Sequence, residues 1–125
     1  MVVTRSNSDY SVTADRLVDA IERRGLTVFA RFDHAGAADE VGMELADEQV
    51  VVFGDPRVGT PLMQSDPRIG IDLPLRVLVW RAPEGVLLGH IDPRALGARY
   101  DVAEHAGTLE RMANLLSDLV ADAAA

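Results

Sequence analysis

Leu75-Arg76-Val77-Leu78-Val79-Trp80-Arg81-Ala82 and Val86-Leu87-Leu88-Gly89-His90-Ile91, joined by Pro83-Glu84-Gly85, form the stretch that decides the fold. Two apolar, β-rich runs separated by a short Pro/Gly turn predict an antiparallel hairpin with strands at 75–81 and 86–91. Working towards the N-terminus, Gln49 to Phe53 contains the unbroken run Val50-Val51-Val52-Phe53. Such a run, bounded by polar and turn residues, is expected as a strand buried on both faces. Before it, Leu26, Val28, Ala30 and Phe32 alternate with Thr27, Phe29 and Arg31, the period of a strand with one face inward. A further edge strand is expected at Ser8 to Val12, whereas residues 1–7 carry no pattern.

Two segments have helical spacing. Ala14, Leu17, Val18 and Ile21 fall at i, i+3, i+4 and i+7 after Thr13 as the expected cap, with Asp15 early, Arg23 and Arg24 late, and Gly25 as the stop. Leu109, Met112, Leu116, Leu119, Val120 and Ala123 make a second stripe, with Thr108 as its cap and Ala121 to Ala125 as a fraying end. Shorter helices are expected around Ala37 to Leu45, from Thr60-Pro61 onward, and over 94–99. The chain is therefore read as one α+β domain, 1–125, with a mostly antiparallel sheet of four to five strands and two main amphipathic helices packed on it.

Composition narrows the function classes. Twelve basic residues against 20 acidic ones leave a net charge of −8, and every basic residue is Arg. That balance argues against a nucleic-acid surface and leaves room only for a local arginine patch. The absence of cysteine excludes disulfides, thiolate metal sites and a cysteine nucleophile. No apolar run approaches a membrane span, so no membrane partner and a cytoplasmic location are expected.

Phe32-Asp33-His34 with Ala37-Ala38, Val51-Val52-Phe53-Gly54-Asp55-Pro56, Gly59-Thr60-Pro61-Leu62-Met63 and Asp72-Leu73-Pro74-Leu75-Arg76-Val77-Leu78-Val79 together resemble the DUF302 family. The resemblance runs from about Ser8 to Tyr100 and is most specific from Phe53 to Pro74. It implies a small TBP-like β-α-β-β-β-β-α domain, with the middle short helices as insertions, and it implies no activity. Two positions depart from the family's usual pattern. Asp55 stands where Asn is common, and His90 stands where an aromatic residue is frequent.

A small-ligand site is expected near two loops, at Asp33, His34, Phe53, Gly54, Asp55, Pro56, Gly59, Thr60 and Met63. Asp33 can orient the His34 imidazole, although a carboxylate at a strand end more often caps the next turn. Gly54 and Gly59 permit close backbone approach, and Thr60 is expected to open a helix whose N–H groups could receive an anion. Arg57 and Arg68 flank this loop and could attract an anionic group. His34, His90, Met43 and Met63 would make a metal site only if the fold gathered them, so no metal or cofactor is expected. Leu73-Pro74 is expected trans, the commoner state. A non-catalytic ligand-binding or assembly domain is the leading reading. The alternatives are a small enzyme with His34 as general acid/base oriented by Asp33 or Asp55, and a structural homodimer pairing through the strand at 75–81.

Overall fold

The computed structural model describes residues 1–125. Five strands make one antiparallel sheet: β1 (Val2–Arg5), β2 (Thr27–Asp33), β3 (Glu48–Gly54), β4 (Leu75–Ala82) and β5 (Gly85–His90), in the order β1-β5-β4-β3-β2. The β4–β5 hairpin forms as its sequence predicts, with Ala82 opposite Gly85. Gly85 has φ +129, which explains a glycine at that turn. Two long helices, α1 (Tyr10–Arg23) and α4 (Ala106–Ala124), cover one face. Leu17, Ala20 and Ile21 of α1 and Leu116, Leu119, Val120 and Ala123 of α4 pack there on Val51, Phe53, Val77, Val79, Val86 and Leu88. With the short helices α2 (His34–Glu40) and α3 (Pro56–Ser65) set aside, the order is β-α-β-β-β-β-α.

Several expectations are corrected. The first strand is Val2–Arg5, paired with β5, and Ser8 to Val12 instead leads into α1, which starts at Tyr10 rather than after Thr13. A four-residue strand has no periodic signal, and only its partner on β5 reveals it. Thr13 lies buried inside α1, where its hydroxyl bonds Ser6 Oγ at 2.6 Å. Strand β3 is buried on one face only: Val51 and Phe53 are enclosed, whereas Val50 and Val52 are half-buried because no layer covers the other face. Thr60-Pro61 does not start a helix. Asp55 caps α3, Pro56 sits in its first turn, and Pro61 stands inside it. Helix α2 begins at His34 and ends at Glu40, leaving Val41, Met43 and Leu45 exposed beyond it. Helix α4 begins at Ala106, so Thr108 is not its cap, and its alanine-rich end does not fray: Ala123 and Ala124 are buried. Strand β4 is central, with both ladders occupied, so the sheet edges open to pairing are β1 and β2. The Leu73–Pro74 peptide is cis, not trans.

A second, smaller apolar cluster lies beyond the end of the sheet. Leu62, Ile69, Leu96, Val102, Leu109 and Met112 meet there. They come from α3, the 3-10 helices Pro67–Asp72 and Pro93–Ala98, the following loop, and the first half of α4.

Candidate functional site

The tripeptide Asp-Pro-Arg occurs three times, at 55–57, 66–68 and 92–94, and each copy starts a helical segment. In all three the aspartate accepts a hydrogen bond from the arginine backbone N–H, at 2.9, 3.0 and 3.0 Å. The arginine side chain then folds back onto the same carboxylate, with Nη2 at 2.9, 2.8 and 2.7 Å from Oδ2. The proline between them occupies the first turn, where no N–H is needed. This clasp satisfies an orphan donor of each helix start and neutralises its own charge. Arg57 holds the Asp55 carboxyl below its ordinary range, Arg94 does the same for Asp92, and Arg68 holds Asp66 well below that range. Asp66 is the most enclosed of the three. Its Oδ2 also accepts from Asp101 N at 2.9 Å, tying α3 to the loop before α4. Arg57 and Arg68 are therefore not free cations waiting for an anion, as their positions beside the loop suggested. The signal was the repeated tripeptide, which hydrophobic periodicity does not register.

The Asp55 clasp sits at the mouth of a cavity of about 220 Å³. Its wall is formed by Leu26 just before β2 and Phe29 within it, by α3, by Gly70, Leu73, Pro74 and Leu75, and by Met112 and Leu115 of α4. Six of the residues expected for a ligand site line it: Gly54, Asp55, Pro56, Gly59, Thr60 and Met63. The glycines make the space. A Cβ at Gly59 would lie 3.7 Å from Leu73 and 3.8 Å from Met63, and one at Gly70 would press on Met63 Sδ at 3.3 Å. A bulge between Val28 and Ala30 displaces Phe29, which stands half exposed at the rim near Gly54. Asp55 is the one charged residue in the lining, and Arg57 neutralises it. The cavity is thus apolar and nearly uncharged.

The other three expected residues lie elsewhere. Phe53 is fully buried in the main core beneath the sheet. Asp33 and His34 are at the opposite end of β2. Thr27 pairs with Gly54 while Asp33 pairs with Gln49, so six residues of strand, roughly 20 Å, separate the two loops. There Asp33 caps α2, accepting from Gly36 N at 2.9 Å. The His34 ring packs on Phe32 with centroids 4.9 Å apart. The strand end used this carboxylate for its local turn, and no general acid/base pair forms from Asp33, His34 and Asp55. His34 opens α2 beyond the edge strand β2 whereas His90 ends β5, and no three His, Asp or Glu side chains are grouped to hold a metal ion.

The chain with this β-α-β-β-β-β-α order matches a recognised domain over nearly its whole length. The model of the domain of unknown function DUF302 matches residues 2–119. The chain belongs to the DUF302 family. A crystal structure of an uncharacterized conserved DUF302 protein from Bacillus stearothermophilus superposes with a TM-score of 0.87, covering 99% of this chain and 97% of that one. At 14% identity this likeness shows the shared fold alone. Among curated proteins, the chain is 36% identical over 103 residues to the fluoride-specific ion channel FluC 1 of Brucella suis, covering 82% of this chain and 41% of that protein. FluC 2 of Brucella melitensis matches at the same identity over 38% of its length. The chain thus spans about two fifths of the curated relatives it matches. No helix of this DUF302 domain is long and apolar enough to cross a membrane.

Proposed function

We propose that this DUF302 domain is a non-catalytic binding module that holds a small, apolar, uncharged molecule between α3, α4 and the start of β2. The carrying observation is the cavity of about 220 Å³, built by glycines and lined by two methionines, Met63 and Met112, that can adapt to its contents. Its size sets the ligand below the usual drug-sized range. Its neutralised Asp55 and the absence of a free cation in its wall argue against a charged ligand. The cytoplasm is the proposed compartment, a setting in which a chain without cysteine loses nothing.

The test uses N-phenyl-1-naphthylamine, a neutral fluorophore that brightens in apolar surroundings. Gly59→Leu would send its side chain between Leu73 and Met63, into the cavity. On helix α3 it should raise stability by about 0.5–1 kcal/mol while abolishing the probe's signal. A variant that folds and still binds the probe as the parent does would refute this site.

A second reading is favoured by the length of the relatives. In the FluC proteins a segment like this chain is joined to more than half a protein again, and the matched part has no counterpart here of a membrane-crossing helix. The domain would then be an assembly module, presenting its uncovered sheet face to a channel subunit or a second copy. Light scattering on the purified chain separates these. A dimer supports self-assembly, and a monomer that binds the fluorophore returns weight to the ligand reading.

A further inference from the structure

Strands β4 and β5 are paired only from their turn as far as Leu78 and Gly89. Beyond that point they part. Leu75 to Val77 stay with β3, while β5 ends at His90 and turns through Ile91 and Asp92 into the 3-10 helix Pro93–Ala98. The parting leaves a cavity of about 330 Å³ that shares only Leu75 with the one above. Val50, Leu78, Ile91 and Leu96 give it an apolar floor, and its polar groups are Asp72, Arg76, His90 and Arg99.

The charge in this cavity is not balanced from within. Eight of the 12 arginines are in ion pairs, so an arginine without one is the exception in a chain of net charge −8. Arg76 is such an exception. Arg99 has one carboxylate near it, Asp72, at 3.8 Å, and Asp72 already accepts the Tyr100 hydroxyl. That hydrogen bond to Asp72 holds the Tyr100 phenol above its ordinary range, so it stays a neutral donor. One carboxylate against two guanidinium groups leaves the cavity with one positive charge over.

His90 supplies the second observation. It is only 6% exposed, and its Nδ1 lies 3.0 Å from the Ile91 carbonyl oxygen. A carbonyl only accepts, so Nδ1 donates to it and Nε2 is the ring nitrogen left for another partner. No group of the protein donates to that nitrogen. A ring nitrogen open to the cavity and without a protein partner, near a guanidinium outside any ion pair and over an apolar floor, is what an amphipathic acid with a hydroxyl group would complement.

We propose that the gap between β4 and β5 is a second binding site, for a small organic hydroxy acid. The carboxylate would meet Arg76 and Arg99, the hydroxyl would donate to His90 Nε2, and the hydrocarbon part would lie on Val50, Leu78 and Ile91. A monocarboxylate balances the single excess charge. A dianionic phosphate would overshoot it and has nothing to place on the apolar floor.

The experiment is a titration of the full chain with mandelate, followed by backbone amide shifts, with mandelamide as the uncharged analogue and inorganic phosphate as the competing anion. Mandelate should bind with Kd on the order of 1 mM and shift Arg76 and Ile91. Arg76→Gln, an exposed position, should keep a dispersed spectrum and weaken binding about tenfold. Arg23→Gln removes one charge from the far end of α1 and should leave Kd unchanged. His90→Phe should weaken mandelate but not its deoxy analogue, phenylacetate. Mandelamide or phosphate binding as tightly as mandelate would overturn the proposal. So would no shift with mandelate, or equal losses in Arg76→Gln and Arg23→Gln.

Discussion

The larger apolar cluster joins the sheet to α1 and α4 through Phe53, Val77, Val79, Leu17 and Leu116, whereas the smaller one gathers Leu62, Ile69 and Leu96 from short helical pieces against Leu109 and Met112 of α4. In the first, long elements with regular periods bring their own apolar faces, and packing supplies the order. In the second, every element but α4 is too short to be stable by itself. Each short piece instead begins with an Asp-Pro-Arg clasp that sets its direction, and Asp66 ties the second of them to the loop before α4 through Asp101 N. Regular structure therefore builds the frame, and locally capped irregular structure builds the end where the apolar cavity lies. The difference teaches that a binding end can be held by polar caps when its core is too small to hold itself.

Substitutions can break this comparison. Phe53→Ala, at a fully buried position under the sheet, should have the largest effect, a loss of about 3–5 kcal/mol in urea unfolding. Leu62→Ala in the smaller cluster should lose about 2–3 kcal/mol, because the short pieces around a cavity can collapse into it. Equal losses at the two sites would mean that both clusters are packed with the same rigidity.

Asp66→Asn should follow in size and should act on the acid side. The Asp66 carboxyl is held well below its ordinary range by Arg68 and by the Asp101 N–H. A folded-state value below the unfolded one, which is about 3.9, adds stability above that pH. That contribution is lost as pH falls from about 4 through the folded value. The parent's stability should therefore decline below about pH 4, and Asp66→Asn should begin lower at neutral pH and decline less steeply. Circular dichroism against pH reads this directly, and identical acid limbs would show that the clasp does not support the smaller cluster. The smallest effect is expected on the frame's outer surface. Removing the exposed Asp19–Arg23 pair on α1, whose atoms lie 2.9 Å apart, should cost about 0.2–0.5 kcal/mol.

Hydrophobic period and turn residues alone established the hairpin, strands β2 and β3, helices α1 and α4 and the α+β class, because each of those elements repeats a local pattern over several residues. The Gly54–Met63 segment was likewise legible as a candidate site, from glycines and turn residues close together in the chain. Tertiary structure decided the rest. It showed Val2–Arg5 as a strand, since a short edge strand exists only through its partner. It turned the Asp55, Asp66 and Asp92 carboxylates onto their own arginines, leaving Arg57 and Arg68 without a charge to offer. It placed Asp33 and His34 at the far end of β2 from Gly54, because antiparallel pairing puts the start of one strand against the end of the next. And it set Arg76 and His90 around one gap, since where β4 and β5 part depends on how the whole sheet closes against its helices.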